Sequence, residues 1–553
     1  MLNKNRISEV MNEKKISAGM LIFLTALFLV IAGNYRFFAN VLEVYPLSFR
    51  NMGFLISLAV VFCAFLVVLF NLLSSKFTTK PVLIFSVLTA SLISYFANTY
   101  NVIIDDTMLQ NTLETNIRET ADLLNIKLFL YVFILGVIPA YFIYKAKLKD
   151  KNIKKAIFSK ILHIAISLVI ILVSLFSFSS FYTSFFREHK PLRYYTNPTY
   201  AYYSAGKYLS DKLKSRSVKL RQIGLDAQQN PNDSGRKLSI LVVGEAVRAD
   251  RFGLNGYARD TTPLLSKADV INFPEMYSCG TTTAISVPCM FSILDRSHYS
   301  DKKAKSTENV LDVLSHAGVS VLWRDNNSSS KGVGDRIRYE NYRTQSLNKR
   351  CDGECRDEGM LDGLQDFIDR KKAGDILIVL HQMGNHGPAY YKRYPQQFEK
   401  FVPACETNQL EECRPEEIGN AYDNAILYTD NFLQQAIELL KRNDDGFKTA
   451  LIYMSDHGES LGEGGLYLHG MPYFIAPDTQ KHVASFMWFG AQTRPELNID
   501  QLKKEAANHF SHDNLFHTLL GLMQVETAVY DSKKDILATV RHPSETSLIL
   551  TQE

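Results

Sequence analysis

The first third of this 553-residue chain has long stretches without charge. Five segments before residue 185 contain no aspartate, glutamate, lysine or arginine: 16–33, 52–73, 81–97, 128–144 and 161–180. Each is about 17 to 22 residues long, which is what an apolar helix needs to cross about 30 Å of hydrocarbon. No A-x-A-like cleavage site follows the first segment, so a membrane anchor is favoured over a removable signal peptide. The sequence therefore predicts five transmembrane helices.

Cysteine is almost absent from this apolar part. Cys63 lies inside an apolar segment, and the other six cysteines follow residue 185 as three close pairs: Cys279/Cys289, Cys351/Cys355 and Cys405/Cys413. An even number confined to one region is typical of an oxidising compartment. Six cysteines allow many connectivities, so pairing between nearest neighbours is a prediction that rests on spacing. A zinc-binding cysteine cluster is the alternative, but the chain lacks the two facing C-x2-C pairs that such sites use.

Basic residues are distributed unevenly, although the formal net charge is only +4. Lysines and arginines crowd the segment before the first apolar stretch, the gap between the second and third, and the gap before the fifth. By the positive-inside rule, the N-terminus is cytoplasmic and everything after residue 185 lies outside. The basic residues therefore indicate membrane topology, and we expect no nucleic-acid partner.

The composition changes twice after the fifth apolar stretch. Tyrosines first alternate with lysines and arginines, which is typical of short helices at a membrane surface, and QQNPNDSGRK then has the composition of a linker. We therefore predict three regions: a membrane domain over 1–185 with an external loop at 99–127, a bridging segment over 186–236, and a globular domain over 237–553.

Short apolar runs rich in β-branched residues alternate with helical stretches from Lys237 onward. Five runs predict strands buried on both faces: 238–244, 319–323, 375–380, 449–454 and 484–490. Three stretches between them predict helices: 306–317, with Ser306 as its N-cap, 358–371 and 418–441. This alternation predicts a parallel α/β sheet.

Polar side chains stand where the predicted strands end: Glu245 after the first, His381 and His386 after the third, and Asp456, His457 and Glu459 after the fourth. Ligands of such sheets bind beyond the carboxyl ends of the strands, so we expect the topology to bring these residues together. Two carboxylates and an imidazole suit Zn²⁺, with Mn²⁺ as the alternative. The adjacent Asp-His pair is the stronger signal, because a lone glutamate after a strand is often a turn or capping residue.

Three consecutive threonines, Thr281 to Thr283, lie between Cys279 and Cys289. A divalent cation lowers the pKa of bound water from ~15.7 to about 7, and we expect a similar effect on a bound alcohol. A threonine as fourth ligand would then be a nucleophile at neutral pH. The threonines could instead begin a helix with Thr281 as its cap, but a helix N-terminus is also a good place to bind phosphate.

With these motifs in place, the chain closely resembles the lipid A phosphoethanolamine transferases, including the mobile colistin-resistance enzymes, within the alkaline phosphatase and sulfatase superfamily. The resemblance spans nearly the whole chain and is carried by GEAVRADRFGLNGYARDTTP, SCGTTTAISVPCMFS, LWRDNNSSSKGV, LIVLHQMGNHGPAYYKRYP and YMSDHGESLGEGGLYLHGMPY. It implies an α-helical membrane domain of five transmembrane helices and a periplasmic α/β domain of alkaline phosphatase/sulfatase-like architecture.

The resemblance also implies roles for individual residues. The family's zinc ligands fall on Glu245, Thr283, Asp456 and His457, with Thr283 as the nucleophile that becomes modified with phosphoethanolamine. Its substrate contacts fall on His386, His469, Asn327, Ser328 and Lys331, with the two histidines as candidates for proton transfer. Glu459 lies where a second metal or the substrate amine would bind. The cysteine pairs resemble the family's disulfides, and Cys279/Cys289 would hold the nucleophile's loop.

The loop between the third and fourth apolar stretches contains MLQNTLETNIRETADLL, which matches a family segment that approaches the active site from the membrane. Asn111, Thr115 and Glu119 are its matching positions. Their i, i+4, i+8 spacing puts them on one face of a helix, where they would contact substrate. A solvated polar face with capping duties is the alternative.

The expected activity is zinc-dependent transfer of phosphoethanolamine from phosphatidylethanolamine to a lipid A phosphate through a phospho-threonine intermediate. The expected location is the bacterial inner membrane, with the catalytic domain in the periplasm, the chain acting as a monomer, and polymyxin or colistin resistance as the phenotype. One alternative is transfer to another envelope acceptor: a core sugar, a glucan or a protein. Others are a metal-dependent phosphatase or sulfatase-type hydrolase and a non-catalytic envelope sensor.

Overall fold

The computed structural model describes residues 15–114, 123–149, 152–187, 189–215, 220–231 and 235–542. The chain divides into two compact units, one comprising Met1–Asp106 and Leu124–Lys207, the other Thr107–Leu123 and Tyr208–Glu553. The loop segment Thr107–Leu123 thus groups with the second unit, although the sequence places it inside the membrane domain. The division into 1–185, 186–236 and 237–553 stays a prediction.

The first part of the chain is helical. Its helices are α1 (Ala18–Ala32), α2 (Tyr35–Val44), α3 (Phe49–Leu73), α4 (Thr79–Tyr100), α5 (Asp106–Glu114), α6 (Ile126–Tyr131), α7 (Ile138–Lys145), α8 (Ile153–Ser177), α9 (Ser179–Arg187) and α10 (Thr199–Ser215). A π-helical turn, Val132–Val137, joins α6 to α7 into one continuous helix. Serine side chains cap two of the apolar helices, because Ser17 accepts from the backbone N–H of Met20 and Ser48 from that of Asn51.

Four helices in the described part of the chain are long and apolar enough to cross a membrane: Phe49–Leu73, Thr79–Tyr100, Ile126–Lys145 and Ile153–Ser177. A fifth span arises only if α1 and α2, which are bent by 56° at their junction, count as one. The predicted stretch 16–33 corresponds to α1 alone, which has 15 residues. The helices at 179–187 and 199–215 fall in or beside the predicted bridging segment, where short helices were expected.

A buried polar cluster joins the end of α1 to α4. The side-chain amide of Asn197 donates to the carbonyls of Gly33 and Ala90 over 2.9 and 2.8 Å, and Asn34 donates to the Asn197 carbonyl over 2.7 Å. An amide left without partners in an apolar interior costs about 2–7 kcal/mol. These bonds therefore hold the end of α1 beside the middle of α4.

The second unit is an α/β domain. Its helices are α11 (Thr283–Met290), α12 (Asp301–Lys305), α13 (Val310–His316), α14 (Leu364–Arg370), α15 (Pro415–Lys441), α16 (Ile499–Glu505) and α17 (Leu515–Leu522). Its strands are β1 (Gln228–Gln229), β2 (Lys237–Gly244), β3 (Ile271–Asn272), β4 (Met276–Tyr277), β5 (Ser320–Asp325), β6 (Arg338–Asn341), β7 (Ile376–His381), β8 (Lys448–Ser455), β9 (Ser460–Leu461), β10 (Tyr467–Leu468), β11 (His482–Val483), β12 (Ser485–Phe489), β13 (Phe510–Ser511) and β14 (Val525–Glu526).

In the described residues, the main sheet has seven strands in the order β3-β12-β8-β2-β7-β5-β6. The strands from β8 to β6 are parallel, whereas β12 runs antiparallel to β8 and β3 antiparallel to β12. The prediction of a fully parallel sheet was therefore wrong at this edge. The run 484–490 is buried on both faces, and such a run has the same composition in either direction.

Helices cover both faces of the sheet. On one face, Leu311 of α13 and Leu519 of α17 belong to a buried apolar cluster with the side chains of alternate strand residues. On the other face, Phe367 of α14 and Leu433 of α15 belong to a second such cluster. The helices cover the faces of the sheet and not the carboxyl ends of its parallel strands, which is where ligands bind in this architecture.

Several predicted boundaries differ from the structure. The helix expected over 306–317 begins at Val310, because Asn309 and Asp312 form a capping box and Ser306 does not cap it. The helix expected over 358–371 is a 3₁₀ turn (Asp357–Leu361) followed by α14, and the helix expected over 418–441 begins earlier, at Pro415. Part of the expected linker forms β1, which pairs with β14.

Candidate active site

The central strands bring Glu245 and Asp456 side by side. Gly244, the last residue of β2, is in register with Ser455, the last residue of β8, and Glu245 and Asp456 each follow directly. His457 comes next on the same loop. All three side chains are fully buried, so the sheet alone explains why residues more than two hundred positions apart meet at one point.

The ligand atoms of Glu245, Asp456 and His457 all lie within 4.8 Å of one another. Nε2 of His457 is 3.4 Å from Oε1 of Glu245 and 3.4 Å from Oδ2 of Asp456. The hydroxyl of Thr283 completes the group, at 3.1 Å from Oε2 of Glu245 and 3.3 Å from Nε2 of His457. Three oxygens and one nitrogen therefore converge on a common centre.

Hydrogen bonds around this group leave its inner atoms available. Oδ1 of Asp456 accepts from the backbone N–H groups of Ala246 and His457, at 3.1 and 2.7 Å. His457 Nδ1 lies 2.8 Å from the carbonyl of Gly458, which requires Nδ1 to donate and leaves a lone pair on Nε2. Within the described residues, neither Oε1 of Glu245 nor Oδ2 of Asp456 takes part in a hydrogen bond. Buried oxygens in this state, beside an imidazole lone pair, fit a divalent cation.

Electrostatics favour the same interpretation. Burial raises the pKa of Glu245, and the neighbouring Asp456 raises it further. Burial opposes the charged form of His457, but Asp456 and then Glu245 outweigh it and raise the pKa of His457. Two buried carboxylates this close repel each other, and a cation between them would remove that repulsion.

The backbone near Glu245 is tightly constrained. Ala246 adopts a left-handed φ of 58°, which is uncommon for a residue with a side chain and places its N–H on Asp456. Gly384 also has a left-handed φ, 48°, and a Cβ there would lie 2.9 Å from the Glu245 carbonyl oxygen. The QMGNHG loop therefore needs glycine at this position.

Thr283 is the first residue of α11, and Thr282 is its N-cap residue, without a side-chain capping bond. Thr281, the cap expected from the sequence, instead donates its hydroxyl to the Met471 carbonyl over 2.7 Å. Ser286, one turn on, donates to the Asp456 carbonyl, which ties α11 to the loop that carries the cluster.

The structure contains three disulfides, Cys279–Cys289, Cys351–Cys355 and Cys405–Cys413, which is the nearest-neighbour pairing. The first of them brackets Thr283 and closes α11 onto the loop before it. Cys63, the remaining cysteine, is buried.

His512 is a residue of this region that the sequence reading missed. Its Nδ1 accepts from the backbone N–H of Cys279 over 3.1 Å, and its Nε2 lies 3.0 Å from the Ser455 carbonyl, to which it donates. Ser286 Oγ is 3.3 Å from the same Nδ1. Burial lowers the pKa of His512 to about 3, so the ring is neutral. His512 thus connects the nucleophile's loop to the end of β8.

A second group of side chains lies against the cluster. The rings of His457 and His469 are 4.2 Å apart between centroids, and those of His469 and His386 are 5.8 Å apart. Nδ1 of His469 is 3.1 Å from Oε2 of Glu459. Burial raises the pKa of Glu459 to about 8, although His457 and His386 oppose this shift. The two histidines expected to contact substrate are therefore adjacent to the candidate metal ligands.

The remaining predicted residues are placed differently. Asn327 is buried and donates to Glu245 and to the Gln382 carbonyl, at 2.8 and 2.7 Å, so its amide faces the carboxylate. Ser328 follows it and donates its backbone N–H to the Asn327 side chain over 2.6 Å. Lys331, with a left-handed φ of 51°, lines a cavity of about 470 Å³ that Pro288 of α11 also lines.

His381 and Asn111 lie on other elements than the ligand cluster. His381 ends β7 and pairs with Asp325, at 3.0 Å between Nδ1 and Oδ2. Asn111 lies in α5, whose residue Gln110 donates to Asp301 over 3.4 Å. Thr115 and Glu119 lie outside the described residues, so their shared face with Asn111 stays a prediction.

The site combines a hydroxyl, a candidate metal centre and a helix N-terminus, which suits nucleophilic attack on phosphorus or sulfur. Residues 62–213 match the family described as Phosphoethanolamine transferase EptA/EptB, and residues 237–525 match the Sulfatase family. The Phosphatidylethanolamine transferase Mcr-2 of Escherichia coli is 44% identical over 522 residues, covering 92% of this chain and 96% of the relative. The chain belongs to the phosphoethanolamine transferase family.

Other relatives of this transferase extend over nearly its whole length. The Phosphatidylethanolamine transferase Mcr-1 of Escherichia coli is 43% identical over 547 residues, covering 97% of this chain and 99% of the relative. The full-length lipooligosaccharide phosphoethanolamine transferase A of Neisseria meningitidis, an integral membrane protein, has 36% identity and a TM-score of 0.93, over 96% of this chain and 100% of that one. The predicted family and fold, a helical membrane domain with a periplasmic alkaline phosphatase-like domain, are confirmed.

Proposed function

We propose that this transferase moves phosphoethanolamine from phosphatidylethanolamine to a lipid A phosphate, with Thr283 as the nucleophile. The observation that carries the proposal is the position of the Thr283 hydroxyl, 3.1 Å from Glu245 and 3.3 Å from His457 at the open edge of the sheet. Relatives support the acceptor: one acts on lipooligosaccharide, and the Kdo(2)-lipid A phosphoethanolamine 7''-transferase of Escherichia coli is 30% identical over 313 residues.

Zn²⁺ is the proposed cofactor, with Mn²⁺ as the alternative, and Glu245, Thr283, Asp456 and His457 are the residues that would hold it. The ion would lower the pKa of the Thr283 hydroxyl toward neutrality and stabilise negative charge that develops on the phosphoryl oxygens. Three oxygens and one imidazole nitrogen, without sulfur, are the ligand set of a catalytic site. Glu459, beside His469, is a candidate for a second metal or for the substrate amine.

In the first step, Oγ1 of Thr283 attacks the phosphorus of phosphatidylethanolamine. A bond between Oγ1 and phosphorus forms, the bond between phosphorus and the diacylglycerol oxygen breaks, and the hydroxyl proton leaves toward Oε2 of Glu245, its hydrogen-bond acceptor. The departing diacylglycerol oxygen takes up a proton, for which His386 or His469 is the donor. Backbone N–H groups in the first turn of α11 stabilise the phosphoryl oxygens.

In the second step, an oxygen of a lipid A phosphate attacks the phospho-threonine. The new bond joins that oxygen to phosphorus, the bond between phosphorus and Oγ1 breaks, and Oγ1 takes back the proton that Oε2 of Glu245 received in the first step. Lys331, which lines the cavity beside α11, would neutralise the anionic acceptor. Both substrates are membrane lipids, which agrees with a chain anchored in the bacterial inner membrane, its N-terminus in the cytoplasm and its catalytic domain in the periplasm.

The test is mass spectrometry of lipid A from Gram-negative cells that express the intact chain, Thr283→Ala or Thr282→Val. Thr282 is the matched control, since its buried hydroxyl makes no hydrogen bond within the described residues. We expect a phosphoethanolamine-sized increase with the wild type and Thr282→Val and none with Thr283→Ala. Unmodified lipid A in all three, with the protein present and zinc-loaded, would contradict lipid A as the acceptor and favour a core sugar, a glucan or a protein.

The intermediate and the cofactor have separate tests. Donor labelled in the ethanolamine should become trapped on Thr283 of the purified chain in the absence of acceptor, and rapid loss of that label to water would favour a hydrolase. A chain without any label would favour the non-catalytic sensor. Metal analysis of the same preparation should give zinc, and Glu245→Gln should lose it.

The phenotype follows from charge. Added ethanolamine offsets negative charge at the membrane surface and so weakens attraction of cationic peptides. Cells that express the wild-type chain should therefore show a raised minimum inhibitory concentration of colistin, and cells with Thr283→Ala should not. Size-exclusion chromatography with light scattering tests the expectation of a monomer.

A further inference from the structure

Five lysines line one cavity in the helical unit, far in the chain from Glu245, Thr283 and the Asp456-His457 pair. The cavity has a volume of about 810 Å³ and lies where α1 begins, where α3 passes into α4, and where α7 ends. Its basic residues, called here the lysine pocket, are Lys15, Lys76, Lys80, Lys145 and Lys147. By the order of the helices, this end of the membrane domain is opposite to the end of α8 from which the chain continues to the catalytic domain.

Hydrogen bonds hold the segments that carry these lysines beside one another. The backbone N–H of Ile16 donates to the carbonyl of Lys147, and that of Lys149 donates to the carbonyl of Ile16, each over 2.9 Å. This short parallel bridge fastens the segment before α1 to the segment after α7. Nζ of Lys80 donates to the carbonyl of Tyr144 over 2.7 Å, which fixes α4 beside the end of α7. The positive charges therefore occupy a defined cavity and are not merely spread along loops.

The lining indicates the chemical class of a ligand. In the part of the chain that the structure describes, no aspartate or glutamate lines the cavity, and the walls between the lysines are apolar, with Phe77, Pro81 and Ile84 among them. The carboxylates nearest in sequence, Glu13 and Asp150, lie outside the described residues. A ligand that fits both surfaces carries negative charge at one end and hydrocarbon at the other.

We propose that the lysine pocket binds the headgroup phosphate of an anionic phospholipid, with an acyl chain along Phe77, Pro81 and Ile84. The phosphate would lie among the lysines, whose positive charges attract it. A zwitterionic lipid such as phosphatidylethanolamine binds less well, because the described lining offers no carboxylate to its ammonium group. The pocket is thus a lipid site separate from the transfer reaction. If the lysines served only to keep this end of the membrane domain in the cytoplasm, they would not need to line a common cavity.

The experiment uses native mass spectrometry of the detergent-solubilised full chain with added dioleoyl phosphatidylglycerol or dioleoyl phosphatidylethanolamine. The variant Lys15→Gln/Lys145→Gln removes two charges from the pocket. The matched control, Lys154→Gln/Lys155→Gln, removes two exposed charges from α8 near the same membrane end. Because the pocket variant has two fewer lysines to attract the anionic headgroup, it should bind phosphatidylglycerol at least about tenfold more weakly than the wild type. The control should change by less than about twofold, and the wild type should prefer phosphatidylglycerol over phosphatidylethanolamine.

Equal losses in the two variants would overturn the proposal, because the lysines would then act as a general surface charge. Equal binding of the two lipids by the wild type would overturn it as well, and this arm needs no variant to fold. Inorganic phosphate at the lipid's own concentration should not displace phosphatidylglycerol. Displacement would show that the pocket recognises a free anion and not a lipid.

Discussion

Asn327 donates its side-chain amide to Oε2 of Glu245 over 2.8 Å and thereby leaves Oε1 directed into the ligand cluster. The second amide bond, to the Gln382 carbonyl over 2.7 Å, fixes the donor itself. We therefore expect Asn327 to affect metal binding through Glu245. The family resemblance alone had suggested that it contacts substrate.

The first prediction concerns this pair. Asn327→Ala should weaken Zn²⁺ binding by about 10- to 100-fold, the usual effect of removing a group that orients a metal ligand. A chelator competition titration on the purified chain measures it, with the exposed Asn508→Ala as the control. Unchanged zinc affinity together with a raised KM for the donor would return Asn327 to the substrate contacts.

The second prediction compares two disulfides with similar sequence separations, 10 for Cys279–Cys289 and 8 for Cys405–Cys413. Replacing either pair by serine should cost about 2–3 kcal/mol of stability. Only loss of Cys279–Cys289 should also lower the transfer rate by more than about tenfold, because that bond joins the loop before Thr283 to the last turn of α11. Initial rates below the melting temperature of both variants measure it. Equal rates would mean that α11 keeps its position without the crosslink.

The third prediction follows from the neutral ring of His512. Its folded pKa of about 3 lies below its ordinary value of 6.5, so the unfolded chain binds an extra proton between these pH values. Stability from this residue is therefore complete above pH 6.5 and is lost as the pH falls, by about 2 kcal/mol at pH 5. The free energy of unfolding of the wild type should therefore fall by that amount relative to that of His512→Gln between pH 7 and pH 5.

Tryptophan fluorescence during denaturant unfolding can measure this difference in the full chain. Both tryptophans, Trp323 and Trp488, are buried in the catalytic domain, so the signal reports on that unit. His298→Gln, which changes an exposed histidine, should give the same pH dependence as the wild type. If the difference in the free energy of unfolding between wild type and His512→Gln stays constant with pH, the His512 ring is charged or exposed in the folded protein.

The fourth prediction concerns Gly458, the residue after His457. A Cβ at this position would lie 2.1 Å from the carbonyl oxygen of Thr479, and a backbone atom cannot move aside as a side chain can. Gly458→Ala should therefore displace the His457 loop, cost about 1–3 kcal/mol, and lower zinc occupancy. Gly206→Ala is the control, since a Cβ there meets nothing within 4 Å. Full zinc occupancy in Gly458→Ala would mean that the loop tolerates the shift.

Much of the sheet could be predicted because its buried strands are short, continuous apolar runs in the sequence. The runs around Leu241, Leu322, Ile378 and Ile452 are apolar on both faces, and each became a strand of the main sheet. Strand direction at the edge could not be predicted, because the apolar run at 484–490 fits either direction. The polar, partly exposed edge strand β6 (Arg338–Asn341) has no periodicity that marks it.

The ligand cluster was accessible from the sequence for a related reason. Glu245 and Asp456 each follow a buried strand directly, so topology alone predicts that they meet. His512 does not follow a long strand, and the residues around it do not form a motif that we recognised. Its role depends on backbone groups of Cys279 and Ser455, which only the folded chain brings together. Asn327 differs in that its motif was recognised, but its partner was not.

The cysteine pairing has a consequence for how the enzyme is made. The six cysteines of the catalytic domain are joined as three consecutive pairs along the chain, with separations of 10, 4 and 8 residues. An oxidase that joins cysteines in the order in which they emerge on the far side of the membrane therefore produces the native set at once. We therefore expect maturation of this domain to need an electron acceptor but no disulfide isomerase, so that a host with strong oxidising capacity and little isomerase activity should still express the active protein.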